Sequence, residues 1–153
     1  MINNLPDVNF VTARLLRNPL DFEEVLRPIY GYDIAREFAE LLEAHLVIAA
    51  QLIAAAIAGD TMAAKEAEVK WYANADEIAT FLARINPYWS KKEWQTMLYE
   101  HLALTKSEAL AILNRQYEQS IEIFDRIEPQ ALTMADVMTR GIIKQFPFRF
   151  YLK

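Results

Sequence analysis

Apolar residues recur at intervals of three and four along four long segments of this 153-residue chain, which is the pattern of amphipathic helices. The predicted helices cover about 33–58, 61–85, 91–113 and 117–144, and a shorter one covers 21–30. Only a few residues connect the long segments, which favours antiparallel neighbours. The sequence therefore predicts an all-α protein, an up-and-down four-helix bundle with a short extra N-terminal helix.

Residues typical of helix ends mark the predicted boundaries. Asp33 and Asp60 are predicted N-caps, and Gly59 is predicted to end the first long helix in the left-handed conformation. The run Ser90-Lys91-Lys92-Glu93 has the capping-box pattern at the start of the third. Pro129 falls inside the fourth, where we expect it to kink or divide the helix.

The chain also resembles itself. His45 in Glu-Ala-His-Leu has a counterpart in His101 in Tyr-Glu-His-Leu, and Ala75-Asp76 has one in Ala135-Asp136. Because these two matches have different offsets, the alignment requires gaps. We interpret the chain as a single domain, 1–153, that contains two related helical hairpins. The repeat halves are predicted at about 18–85 and 86–145.

Composition narrows the partners and the compartment. Cysteine is absent, which removes disulfides and thiolate metal sites and makes a reducing compartment acceptable, so the cytoplasm is the expected location. A net charge of −5 without a basic stripe predicts no binding to nucleic acid. The longest apolar run, Leu46–Ala58, is shorter than the roughly 20 residues that cross a bilayer, so no membrane span is predicted.

Counting outward from the two hairpin loops places one polar residue of each long helix at about the same distance from the loop along the helix axis. His45 falls opposite Asn74, and His101 falls opposite about position 128, which is Glu128. Buried polar groups need hydrogen-bond partners, because an unpaired one costs about 1–3 kcal/mol. The simplest arrangement is therefore structural, with His45 bonded to Asn74 and His101 bonded to Glu128.

The same layer also suits a divalent metal ion or a small ligand, because imidazole and carboxylate groups from facing helices hold such ions in bundles. A ferritin-like di-iron site is excluded, since Leu42 and Leu98 stand where its Glu-x-x-His motifs need glutamate. The candidate metal-binding residues are His45, His101, Glu128, Asn74 and Asp125.

Two further polar residues follow His101 on the same predicted helix. Thr105 lies one turn after it and Glu108 two turns after it, on the same face. The simplest interpretation of Thr105 is a hydroxyl bonded to a carbonyl of its own helix. Glu108 is an alternative or supporting member of the metal set, and we assign no catalytic residue.

Aromatic residues at the carboxyl end indicate a contact surface. The segment Phe146–Tyr151 contains four aromatic side chains, and we expect it to be extended. An exposed apolar segment of this kind is usually covered by a partner, and a homodimer is the simplest cover.

Four strings resemble a family of small uncharacterised bacterial helical proteins, some of which are catalogued as acetylglutamate kinase. They are Arg14–Pro19, Trp71–Ile78, Ile85–Trp89 and Gly141–Phe146, and the resemblance extends from about Asp7 to Phe146. An amino-acid kinase of that type is a much longer α/β protein with glycine-rich phosphate loops. This chain has three glycines and predicted helices only, so we do not expect kinase activity.

No nucleophile and base can be paired from the sequence, which favours a non-enzymatic role. We therefore expect a helical bundle that acts by oligomerisation or protein contact. The alternative is a bundle that binds a divalent metal or small ligand through its inward His, Glu and Asn layer.

Overall fold

The computed structural model describes residues 5–150, and within this range all regular secondary structure is helical, as the sequence predicts. Each of the four long helices begins and ends within two residues of its predicted bounds. Two short helices, at either end of the described range, were not predicted. In chain order the helices are α1 Val8–Leu15, α2 Asn18–Tyr30, α3 Tyr32–Ala58, α4 Thr61–Ile85, α5 Lys91–Leu113, α6 Tyr117–Gln145 and α7 Pro147–Phe150.

Most of the predicted helix caps are confirmed. The Ser90 hydroxyl accepts a hydrogen bond from the Glu93 amide at 3.3 Å, and the Asp60 carboxylate accepts one from the Ala63 amide at 3.0 Å. Gly59 is left-handed, with φ of 71°. The N-cap prediction at Asp33 is wrong, because Gly31, with φ of 87°, separates α2 from α3 and places Asp33 in the first turn.

The buried face of α6 does not include Glu128, the residue of this helix that was predicted to lie in the polar layer. Ser120 and Ile123 are buried and Ile127 is half-buried, whereas Ile121 and Phe124 are 63% and 49% exposed. Apolar residues occupy two faces of this helix, so their spacing alone does not identify the buried one. The helix continues through Pro129.

The chain divides into two units between Ile78 and Ala79, inside α4, seven residues before the predicted end of the first repeat half. In unit 1, α2 packs on α3, and the rings of Phe22 and Phe38 meet edge to face with centroids 5.5 Å apart. In unit 2, α5 and α6 form a helical hairpin whose packed residues are Leu104, Ala111, Ile123 and Ile127. Each unit therefore has buried packing of its own.

Trp89, which lies just before α5, packs against α6. The Trp89 indole donates a hydrogen bond to the Val137 carbonyl at 3.2 Å and packs edge to face on Trp94. It also lies directly on Gly141, where any Cβ would approach the indole nitrogen to 1.9 Å. Glycine at 141 is therefore a packing requirement.

Helix α3 has an unusual composition for a helix with an exposed face. It is 27 residues long, and no charged residue occurs between Glu43 and Asp60. It is the one described helix that is long and apolar enough to cross a membrane. Core helices of soluble proteins can have the same length and composition. The absence of a membrane span stays a prediction.

The carboxyl-terminal segment was expected to be extended, but its described part is helical. Residues Pro147–Phe150 form α7, and Phe148 is 96% exposed while Phe150 is 45% exposed. Tyr151, the last residue of the predicted aromatic segment, lies outside the described residues. The described part of the segment thus presents apolar surface in a helical form.

Candidate functional site

The first histidine is held in a buried network within unit 1. The Nδ1 atom of His45 lies 2.7 Å from Asn74 Oδ1, as the sequence predicts, and Asn74 Nδ2 donates to the Leu41 carbonyl at 3.1 Å. On the other side of the ring, Trp71 Nε1 donates to His45 Nε2 at 3.0 Å. His45 and Asn74 are 7% and 3% exposed, so the network is shielded from water.

These partners determine which nitrogen of His45 carries the proton. Because the amide group of Asn74 uses its NH₂ on Leu41, its oxygen faces the ring, and a carbonyl oxygen can only accept. Nδ1 is therefore the protonated nitrogen. An indole can only donate, so Nε2 is an acceptor, and His45 is a neutral imidazole with both nitrogens used.

The second histidine, in unit 2, pairs with a different residue from the one predicted. His101 Nδ1 lies 3.0 Å from Gln130 Oε1, and Gln130 Nε2 donates to the Met97 carbonyl at 2.8 Å. Glu128, the predicted partner, is exposed. The reason is the rotation of α6, whose buried face carries Ile123, Ile127 and Gln130 instead of Glu128.

The two networks share the same chain of hydrogen bonds from histidine to amide to backbone carbonyl. In each, a histidine binds an amide side chain 29 residues later, which in turn binds the carbonyl four residues before the histidine. His101 minus His45, Gln130 minus Asn74 and Met97 minus Leu41 all give 56. The two hairpins therefore align over this stretch at a single offset, without the gaps that the sequence comparison required.

The turns between the helices follow the same offset. Asp60 donates its amide to the Ala55 carbonyl at 3.0 Å, and Gln116 donates to the Ala111 carbonyl at 2.8 Å. Gly59 is left-handed in the first turn, and Arg115, 56 residues later, has φ of 61° in the second. Both histidines consequently lie at the same distance from the end of their hairpin.

The networks differ at Nε2 of the histidine ring, which has a hydrogen-bond donor in the first hairpin and none among the described residues of the second. Position 127, which corresponds to Trp71, is isoleucine and has no hydrogen to donate. Because Gln130 fixes the proton on Nδ1, Nε2 of His101 presents a lone pair, and no described residue is bonded to it. Burial lowers the pKa of His101, an effect that the hydrogen bond to Gln130 opposes, which favours the neutral ring at neutral pH.

Polar groups continue from His101 along α5. The Thr105 hydroxyl is buried and has no partner among residues 5–150, so the predicted bond to its own helix is wrong. Burial raises the pKa of the half-buried Glu108 carboxyl, and no described residue forms an ion pair with it. The corresponding positions of the first hairpin, Ala49 and Leu52, are apolar.

The predicted metal residues are distributed between the two units. His45 and Asn74 lie in unit 1, and His101, Asp125 and Glu128 lie in unit 2. Asp125 is exposed and lines an open groove with Glu100 and Gln130. Across the described part of the chain, no three His, Asp or Glu side chains are grouped so that they could hold a metal ion.

Two residues of these networks, Gln130 and Trp71, were not among the predicted site residues. Gln130 could have been found from the sequence, because it follows His101 by the same 29 residues that separate His45 from Asn74. For Trp71, nothing in the spacing indicates that its indole nitrogen donates to His45.

Comparison of the chain with known protein families, with characterised proteins and with solved structures found no match.

Proposed function

We propose that this chain is an up-and-down four-helix bundle of two related hairpins that acts without catalysis, by contact with a second copy of itself. The proposal for the bundle is supported by the equivalence of the two hairpins, which carry the same histidine–amide pair at the same distance from the turn. The proposal for the contact is supported by the apolar surface of α1 and α2.

Helix α1 has no buried residue, although it is rich in apolar side chains. Eight of the 21 exposed large hydrophobic side chains of the described chain fall between residues 5 and 25, with exposures from 38% to 79%. We call these eight residues the N-terminal apolar surface. They are Leu5, Phe10, Val11, Leu15, Leu16, Leu20, Phe22 and Val25.

The size and charge of this surface suit a contact between two copies. Eight such side chains present on the order of several hundred Å², while a stable interface takes about 800 Å² from each partner. Arg14 and Arg17 both pair with Asp21, at 3.5 and 2.9 Å, so each of these charges has a partner within the same copy. A mainly apolar surface whose few charges are already paired can meet its own copy with little repulsion between like charges.

Sedimentation velocity of the purified chain tests this proposal. We expect a dimer at micromolar concentration and a monomer for the double variant Phe10→Glu, Val25→Glu. Because neither side chain is buried, the helical content of the variant should be unchanged. The double variant Ile121→Glu, Leu132→Glu is the matched control, since both side chains are apolar and exposed but lie in α6, outside the surface, and it should remain dimeric.

Two results would reject the proposed contact. One is a monomeric wild-type chain over the whole concentration range. The other is flotation of the wild-type chain with phospholipid vesicles, abolished by the same double variant, which would assign the surface to a membrane.

A second candidate function, binding of a divalent metal or a small ligand, is supported by the unused lone pair of His101 Nε2. Histidines that bind metals are commonly oriented in this way, with the other ring nitrogen donating to an oxygen. His45 is less suitable, because Trp71 occupies its Nε2. Elemental analysis of dialysed wild-type protein and of His101→Gln tests for a metal, which the variant should lose if His101 binds it.

A further inference from the structure

An exposed apolar stripe runs along α6, apart from the face that packs on α5. Its side chains follow one another at intervals of four, three and eight residues, so they lie along one side of the helix. At 1.5 Å per residue the stripe is about 22 Å long. We call its four residues the α6 stripe, and their exposures range from 49% to 63%. They are Tyr117, Ile121, Phe124 and Leu132.

The α6 stripe is turned away from the packed face of its helix. Ile121 and Phe124 each directly follow a buried residue, and one step along a helix is a rotation of about 100°. The helix α5, which covers the packed face, therefore leaves the α6 stripe in contact with water.

The first hairpin forms without apolar residues at these positions. The residues of α4 that stand 56 positions before the α6 stripe are all polar. They are Thr61, Lys65, Glu68 and Asp76. A polar outer face is the normal composition for a helix side in water. The apolar residues of the α6 stripe are thus not needed for a hairpin of this kind, which indicates a contact with another molecule.

Carboxylates line one edge of the α6 stripe. Three of them each directly follow a stripe residue, and a fourth lies on the stripe itself. We call them the acidic line, and they are Glu118, Glu122, Asp125 and Glu128. All four are exposed, and none forms an ion pair or a hydrogen bond with any residue from 5 to 150. Residues 117–132 contain four carboxylates and one cation, Arg126, which gives a net charge of −3.

The acidic line adjoins an open groove between α5 and α6. Asp125 and Arg126 line this groove from α6, and Glu100 lines it from α5. Glu100 is exposed and has no partner among the described residues either. The stripe, the acidic line and the groove therefore form a continuous surface that is apolar along one side and mainly anionic along the other.

The charge of this surface decides between the candidate occupants. Two copies that met through it would place a net charge of −3 opposite the same charge, and an anionic membrane would be repelled in the same way. A cationic partner is attracted, and its apolar side chains can cover the stripe. A helix of about 15 residues matches the length of the stripe and can present apolar and basic residues side by side.

We propose that the α6 stripe and the acidic line bind a basic amphipathic helix of another protein. The apolar face of this helix covers the stripe, and its lysine and arginine side chains pair with the acidic line and with Glu100. The contact is separate from the one between two copies, because the α6 stripe and the N-terminal apolar surface share no residue.

Fluorescence anisotropy with a labelled synthetic peptide tests this proposal. The probe is a helical peptide of about 15 residues with leucine on one face and lysine on the other, in about 0.15 M salt, which screens charges farther apart than about 8 Å. We expect saturable binding with Kd in the micromolar range. A peptide of the same composition in scrambled order and one with glutamate in place of lysine should each bind at least about tenfold more weakly.

Substitutions of apolar residues locate the contact. Ile121→Gln, Leu132→Gln should weaken binding of the peptide at least about tenfold, because two of the four stripe side chains no longer bury apolar surface. Met62→Gln, Val69→Gln is the matched control, since these two apolar side chains of α4 are 74% and 64% exposed, and it should bind as the wild type does.

Substitutions of carboxylates test the charge. Glu118→Gln, Glu122→Gln should weaken binding about three- to tenfold. Glu43→Gln, Glu66→Gln removes the same charge from exposed positions of the first hairpin and should change binding less than about twofold. Every substituted side chain is exposed, so far-ultraviolet circular dichroism should show the helical content of the wild type for all of these variants.

Three results with the peptide would overturn the proposal. They are no binding at about 100 μM peptide, equal binding of the scrambled peptide, and equal weakening by the stripe variant and its α4 control. Loss of peptide binding by Phe10→Glu, Val25→Glu would also overturn it, because the peptide would then lie on the N-terminal apolar surface.

Two further measurements on Ile121→Gln, Leu132→Gln distinguish the other occupants. A dimeric wild type and a monomeric variant in sedimentation velocity would assign the α6 stripe to the contact between copies. Flotation of the wild type with phospholipid vesicles, lost in the variant, would assign it to a membrane. Either result would overturn the proposed partner, whereas a monomeric wild type that binds the peptide would reject only the contact between copies.

Discussion

Two buried tryptophans allow the hydrogen bond to His45 to be measured against a close internal reference. Trp71 and Trp94 are each 3% exposed, and both lie in long helices. The indole nitrogen of Trp71 donates to His45 Nε2 at 3.0 Å, whereas that of Trp94 is buried without a partner among residues 5–150. Substitution by phenylalanine is the same chemical change at both sites, with and without the loss of a hydrogen bond.

The expected difference follows from what each change leaves behind. Trp71→Phe leaves the buried Nε2 of His45 without its donor, which costs about 1–3 kcal/mol in addition to the smaller ring volume. Trp94→Phe incurs a comparable volume loss but removes a donor that was unsatisfied, which offsets part of the loss. We therefore expect Trp71→Phe to be the less stable variant by about 1–3 kcal/mol.

Urea unfolding followed by far-ultraviolet circular dichroism measures this difference, and thermal unfolding gives a second value. For a chain of this length, 1 kcal/mol corresponds to about 2–4 °C in Tm, so the two variants should differ by about 2–12 °C. Free energies of unfolding that agree within about 0.5 kcal/mol would refute the reasoning, because the bond to His45 would then make no net contribution.

Three further predictions concern single positions. Gly141→Ala should destabilise the chain by about 1–3 kcal/mol in urea unfolding, since the new Cβ would overlap the Trp89 indole. Because Gly59 and Arg115 occupy the same left-handed position of the two turns, Gly59→Ala should destabilise and Arg115→Gly should stabilise, each by about 1 kcal/mol in the same assay. Burial lowers the pKa of His101, so the unfolded chain takes up a proton at higher pH than the folded chain does. The contribution of His101 to stability is therefore complete above the usual pKa of histidine. It is lost as the pH falls through the lowered pKa of the folded chain. The free energy of unfolding measured from about pH 8 to pH 5 should therefore fall less steeply for His101→Gln than for the wild type.

The long helices could be predicted because their apolar residues keep the helical period over at least six turns and glycine is nearly absent between their ends. Helices α1 and α7 could not, since eight and four residues hold too few turns for a period to emerge. Spacing does not identify the buried face of α6, because Ile121 and Phe124 are apolar yet exposed. Their exposure is a tertiary property that residue type alone does not contain.

The candidate site was predictable in part for a related reason. Counting from the loop located Asn74 opposite His45, because Gly59 marks the middle of that turn. The second turn has arginine at the left-handed position, so its centre was placed too early and Glu128 was chosen instead of Gln130. An error of two residues rotates a helix position by about 200°, which exchanges the inner face for the outer one.

The constant offset of 56 between the two hairpins has a practical consequence for recognising other proteins with this arrangement. One residue inserted into either helix between a histidine and its amide would turn one of them by about 100° and break the pair, so the interval is restricted by geometry even where the side chains around it vary. A histidine followed 29 residues later by asparagine or glutamine, repeated 56 residues along the chain, is therefore a signature that can be sought in sequences whose overall similarity is too low to detect. In this chain the residue 26 positions after the histidine is tryptophan in one hairpin and isoleucine in the other. Within such a set, that residue would distinguish a histidine whose Nε2 accepts a hydrogen bond from an indole from one whose Nε2 does not.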